Sequence, residues 1–236
     1  MKFLVFQHIA CEHPGIFRDL MREAGVDWDT VELDAGGDIP RLDGYDALLV
    51  MGGPMDVWQV SEHPWLEPEM AAIREWVGAD RPYLGFCLGH QLLAAAMGGE
   101  VGPAATPEIG VMPVELTGTG QEHWFFRNCR RRIMSLQWHS AEVTVPPPGA
   151  VILASSDACP VNAMALGERA ASVQFHIEIT DTTVAEWGEV PEYATALEKA
   201  CGQGALLHMQ SEADRHREDF QSNSRALFEN FLGRIH

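Results

Sequence analysis

PYLGFCLGHQLLAAAMGG, residues Pro82 to Gly99, passes from an apolar run into a helical one across a single cysteine. Pro82–Phe86 reads as a buried strand. Leu88–Met97 reads as an apolar helix closed by Gly98-Gly99. The same alternation extends upstream. Lys2–Gln7 is a strand candidate, followed by Ile16, Phe17, Leu20, Met21 and Ala24 at helical spacing and then Gly25 as a stop. Trp28–Leu33 reads as a second strand, and Asp46–Met51 as a strand buried on both faces that ends in Gly52-Gly53-Pro54. Leu66–Val77 is amphipathic, with Met70, Ile73 and Val77 on one face. Strands alternating with helices predict an α/β fold, a doubly wound and mostly parallel sheet flanked by helices.

Downstream of Gly99 the pattern changes. Val111–Leu116, Ile133–Trp138, Glu142–Val145, Val151–Ser155, Ala163–Leu166 and Ser172–Phe175 are short strand candidates with little helix between them. They predict a small mixed or antiparallel extension of the sheet. From Ala205 to about residue 235 the pattern is helical, with Phe220, Leu227, Phe228, Phe231, Leu232 and Ile235 on the docking side. Pro146-Pro147-Pro148 lies between strand candidates and reads as a loop, so residues 1–236 are expected to form a single domain.

The balance of 16 basic against 34 acidic residues gives a formal charge of −18. Such a surface repels phosphate backbones and anionic lipid, and the one basic run, Arg130-Arg131-Arg132, is short. Neither nucleic acid nor membrane is an expected partner. The five cysteines are widely spaced, without a CxxC pair, which argues against a disulfide framework or a four-cysteine zinc site. No apolar stretch approaches the roughly 20 residues of a membrane span. The expected location is the cytoplasm, with reduced thiols.

A cysteine at a tight strand-to-helix turn gains reactivity in three ways. Gly85 and Gly89 permit close backbone approach. The first N–H groups of the helix, including that of Leu88, have no intrahelical acceptor and can face a developing oxyanion. The helix dipole favours thiolate over thiol. Acyl transfer also needs a base and a group to orient it. In Ser172–Ile179 (SVQFHIEI), His176 and Glu178 are two apart at the end of an apolar strand, which places both side chains on one side. Gly53 follows another strand end and leaves an N–H free for a second oxyanion position.

VMGGPM at 50–55, GFCLGHQLLA at 85–94, LQWHSAEV at 136–143 and VQFHIEIT at 173–180 together resemble the class I, or triad, glutamine amidotransferases, above all the stand-alone proteins similar to the glutaminase domain of GMP synthase. The resemblance runs from the first strand to about Thr180 and implies a flavodoxin-like fold. It implies Cys87 as nucleophile, His176 as general base and then acid, Glu178 as its orienter, and Gly53 and Leu88 as backbone oxyanion donors. Gln91 and Trp138-His139-Ser140 would hold the ends of the substrate, glutamine or a γ-glutamyl compound. No metal or cofactor is implied. The family usually has proline between histidine and glutamate where this chain has Ile177, a change that removes no catalytic group. No P-loop follows Thr180, so a synthetase accepting the ammonia would be a separate chain or absent.

Other readings remain open at this level. His8, Cys11 and His13 could be taken for metal ligands, but their spacing fits no common zinc pattern. His139 competes with His176 as base but has no acid two residues on, and His90 has a packing or capping role. A γ-glutamyl peptidase would use the same triad with a different leaving group. An α/β-hydrolase with a cysteine nucleophile would place its acid before the histidine and need Asp157.

Overall fold

A computed structural model describes residues 1–235. In chain order the parallel half comprises β1 (Lys2–Gln7), α1 (Phe17–Glu23), β2 (Asp27–Glu32), β3 (Ala47–Val50), α2 (Leu66–Gly78), β4 (Tyr83–Phe86) and α3 (Leu88–Ala96). The next part holds β5 (Glu100–Leu116), α4 (Gly118–Glu122), β6 (Arg132–Val145), β7 (Val151–Ser155), β8 (Ala163–Leu166) and β9 (Ala170–Val173). Four helices end the chain: α5 (Thr183–Gly188), α6 (Pro191–Cys201), α7 (Ala205–Arg215) and α8 (Arg217–Leu232).

The strands form one nine-stranded sheet in the order β2-β1-β3-β4-β9-β8-β7-β5-β6. Pairing is parallel from β2 through to β9 and antiparallel from β9 outward. Alternate residues of β1 divide the core between the two faces, as strand geometry requires. Phe3 and Val5 pack with Phe17 and Met21 of α1 and Phe228 and Phe231 of α8. Leu4 and Phe6 pack with Ile73 and Trp76 of α2 and Leu92 and Leu93 of α3. Helices thus cover both faces, and the carboxyl ends of β1, β3, β4 and β9 lie side by side, where ligands bind in such sheets.

The structure corrects several sequence boundaries. The strand expected at Val111–Leu116 begins at Glu100, and the two expected at Ile133–Trp138 and Glu142–Val145 are one strand, β6. β5 and β6 form a long antiparallel ribbon whose register shifts between Pro103 and Glu108, so its outer part lacked the alternation of a half-buried strand. The strand expected at Ser172–Phe175 runs instead from Ala170 to Val173. The helical tail starts earlier than Ala205, with α5 and α6, and it breaks between α7 and α8 at His216. Among the described residues no helix is long and apolar enough to cross a membrane.

Candidate active site

Cys87 is the residue between β4 and α3, with φ 49° and ψ −102°, a conformation rare outside glycine. Its N–H donates to the Val173 carbonyl of β9 at 2.9 Å, which fixes the turn on the neighbouring strand. The flanking glycines serve close approach rather than positive φ. A Cβ on Gly89 would stand 2.2 Å from the Val50 carbonyl oxygen, and one on Gly85 would stand 2.7 Å from that of Gly89. The first turn of α3 thereby presses on the end of β3. The Gly89 N–H donates to the Met51 carbonyl, and the His90 and Gln91 N–H groups donate to that of Cys87. The Leu88 N–H, first in the helix, finds no acceptor among the described residues.

Gly52-Gly53 continues from β3 beside this turn. His8, at the end of β1, is fully buried and stacked on Trp65. Its Nδ1 faces the Gly52 carbonyl at 2.8 Å and its Nε2 faces Glu69 of α2 at 2.9 Å. Both partners are acceptors, so both ring nitrogens donate. Burial works against that charge, but the Glu69 carboxylate overcomes it and raises the His8 pKa. Carbonyl and N–H point in opposite directions across a planar trans peptide. By holding the Gly52 carbonyl, His8 therefore fixes the direction of the Gly53 N–H.

His176 lies outside regular strand, correcting the expectation that it ends one. The chain leaves the sheet at Gln174, and the His176 N–H and C=O pair with Leu136 of β6 at 2.8 and 2.9 Å. Its Nδ1 meets Glu178 Oε1 at 2.5 Å, while Glu178 Oε2 accepts the Ile177 N–H at 2.9 Å. The side-by-side placement expected of His176 and Glu178 is thus present, made by a local bend. Trp187 of α5 packs edge-on to the ring, with centroids 4.6 Å apart. Burial alone would lower the His176 pKa; the charges of Glu178 and of Cys87 beside the ring carry it well above the ordinary value.

A pocket of about 150 Å³ opens over Cys87. Gly53, Gln91, Trp138, His139 and Ser140 line it, so the residues named from sequence as substrate contacts converge on one space. Gln91 donates to the Ala141 carbonyl and to Gln174, both at 3.1 Å. Gln174 in turn points its amide at Cys87 Sγ, 3.5 Å away. This contact was not read from sequence, although Gln174 stands two residues before His176. The opposite wall belongs to α6, with Glu192, Tyr193 and Ala196, a helix that the sequence reading missed entirely.

The other histidines weighed from the sequence are committed elsewhere. His139 Nδ1 faces the Ala141 carbonyl at 2.9 Å and Nε2 faces Glu108 at 3.2 Å, leaving no nitrogen for proton transfer. Glu108, His139 and Cys159 bring their polar atoms within 4.8 Å of one another, but Asn162 and His139 already donate to Glu108. His90 lies between Ser172 and the Val161 carbonyl, and burial pushes its pKa down to about 3, so it packs as a neutral ring. His8 and His13, weighed together as metal ligands, diverge: His13 turns to Arg18 while His8 turns to Glu69.

Residues 16–186 match the family model described as Glutamine amidotransferase class-I. The chain is 32% identical over 155 residues to a glutamine-hydrolyzing GMP synthase subunit of Sulfolobus acidocaldarius, covering 65% of this chain and 78% of that protein. It is 38% identical over 166 residues to the glutamine-hydrolyzing GMP synthase of Aeropyrum pernix, covering 69% of this chain but only 30% of that longer protein. Among solved structures, a glutamine amidotransferase from Thermotoga maritima superposes with a TM-score of 0.88 at 28% identity, covering 98% of both chains. One from Methylobacillus flagellatus superposes with a TM-score of 0.87 at 25% identity, covering 100% of this chain and 95% of that one.

Proposed function

This chain belongs to the class I glutamine amidotransferases, a family of enzymes with a cysteine nucleophile, and on that premise we propose that it hydrolyses the side-chain amide of glutamine to glutamate and ammonia. The observation carrying the proposal is the His176 ring held between Glu178 at 2.5 Å and Cys87. Cys87 thiolate attacks the amide carbon, and the carbonyl electrons move to oxygen. The N–H groups of Gly53 and Leu88 face that oxyanion, each such donor lowering the barrier by on the order of 3 kcal/mol. His176 gives its proton to the departing nitrogen, and ammonia leaves a γ-glutamyl thioester. The neutral imidazole then takes a proton from water, which attacks the thioester and restores the thiolate. Glu178 keeps the ring in one tautomer throughout. Gln91, Trp138, His139 and Ser140 hold the amino-acid end of glutamine.

Ammonia passes to an acceptor on a separate synthetase chain, an assignment supported by relatives whose names describe them as GMP synthase subunits. The proposed location is the cytoplasm. The competing reading is a γ-glutamyl peptidase, which needs room for a second residue beyond the scissile nitrogen. A pocket of about 150 Å³ closed by α6 favours the smaller substrate. Steady-state assays with glutamine and with γ-glutamyl dipeptides separate the two. Faster turnover of glutamine is expected; dipeptide cleavage with negligible ammonia release from glutamine would replace this reading with the peptidase.

A further inference from the structure

Glu12, in the loop after β1, is 1% exposed and sits at the rear of the site. Tyr193 of α6 donates its hydroxyl to Glu12 Oε1, but Oε2 has no hydrogen-bond partner among the described residues. That oxygen is aimed at the site. The point where a Cβ on Gly52 would stand lies 2.5 Å from Glu12 Oε2 and 3.1 Å from His176 Cε1. Carboxylate and ring therefore share one small space, inside the roughly 4–6 Å over which an opposite charge favours the charged form of its neighbour. Glu178 approaches the same ring at Nδ1.

We propose that Glu12, anchored by Tyr193, is a positioning residue whose carboxylate stabilises the His176 imidazolium at Cε1, so that Cys87 and His176 rest as a thiolate–imidazolium pair. The proposal rests on the assignment of Cys87 and His176 as nucleophile and base. A protonated Oε2 would be a buried donor without an acceptor, which is costly. An ionised Oε2 facing a neutral imidazole would be a desolvated charge with only the Tyr193 hydroxyl to offset it. A carboxylate beside an imidazolium offsets the cost of burying either charge alone. Burial, with the nearby Glu178 charge, raises the Glu12 pKa on balance, and the His176 charge, the Tyr193 hydroxyl and the His8 charge pull against that rise, so the ionised form depends on the cationic ring beside it.

The other ionisable groups around this space are Cys87 from the turn before α3, His8, Cys11 and His13 from the β1 loop, Glu178 beyond β9, Tyr193 from α6 and Glu186 from α5. Glu178 and Cys87 dominate the charge on the His176 ring, and Glu12 is coupled to it from the Gly52 side. Glu12 and Tyr193 both fall outside residues 16–186, the segment that the family model matches. The two meet only because α6 closes over the site.

The test is the pH dependence of Cys87 alkylation by iodoacetamide in the full chain, read on the Cys87 peptide by mass spectrometry. It requires no substrate. Wild type is expected to react rapidly at pH 7. Glu12→Gln keeps the Tyr193 contact and removes the charge, so alkylation should slow about tenfold at pH 7 and match wild type at pH 10, where the thiolate forms regardless. Tyr193→Phe should move the same ratio in the same direction by about threefold, and it serves alone if Glu12→Gln melts before assay. An unchanged ratio in whichever variants fold, or equal slowing at every pH, would overturn the proposal. A wild-type Cys87 no more reactive at pH 7 than an ordinary thiol would overturn the nucleophile assignment itself.

Discussion

His8 at the end of β1 and His176 beyond β9 are both fully buried, and each is paired with a glutamate, yet they do different things with the second nitrogen. The His8 ring lies between Glu69 and the Gly52 carbonyl, so both nitrogens are spent on holding the Gly52-Gly53 loop. The His176 ring gives only Nδ1 to its glutamate and leaves Nε2 uncommitted, with Cys87 beside the ring. A buried histidine–carboxylate pair is therefore not in itself a catalytic signature. What separates an anchoring pair from a catalytic one is whether a nitrogen is left over.

That contrast orders the expected effects of substitution. His176→Ala removes the free nitrogen and should lower kcat for glutamine hydrolysis by on the order of 10⁴-fold with the fold intact by circular dichroism. Retained turnover would move the base elsewhere. His8→Ala or Glu69→Gln leaves the triad untouched but frees the Gly52 carbonyl. Either should lower kcat by roughly 10- to 100-fold through a misdirected Gly53 N–H. An unchanged kcat in both would show that the loop keeps its direction without the pair. His139→Gln touches the pocket but no transferring proton, so KM should rise a few-fold while kcat changes little.

The pH profile sharpens the same contrast. The folded His176 pKa is raised well above its ordinary 6.5, so the imidazolium persists through neutral pH and is lost only as pH climbs through that raised value. Turnover should accordingly hold through pH 7 and fall on the alkaline side. A profile that collapses on rising through about 6.5 would mean that Glu178 and Cys87 do not raise the ring's affinity for its proton.

Legibility in the sequence followed burial on both faces. β1, β3 and β4 are short apolar runs punctuated by glycine or a loop, because parallel strands beneath two helical layers have no polar side to show. β5 mixes glycine, proline and exposed residues because much of it stands away from the core. α5 and α6 are short, separated by Glu189-Val190 and restarted by Pro191, so neither offers a long period to detect. At the site, Cys87, His176, Glu178 and Gly53 could be named because the proposed chemistry needs a tight turn, a paired base and a free N–H at fixed spacings. Gln174 and Glu12 have no such local pattern. Glu12 depends on Tyr193, 181 residues away, and within HIACEH its neighbours suggested metal ligation instead.

Labelling with a glutamine-analogue electrophile tests whether Cys87 is the nucleophile for a glutamine amide. One adduct per chain is expected, located on Cys87, slowed by free glutamine and missing in Cys87→Ser. Labelling that persists in Cys87→Ser, or that settles on Cys11, Cys129, Cys159 or Cys201, would contradict that assignment.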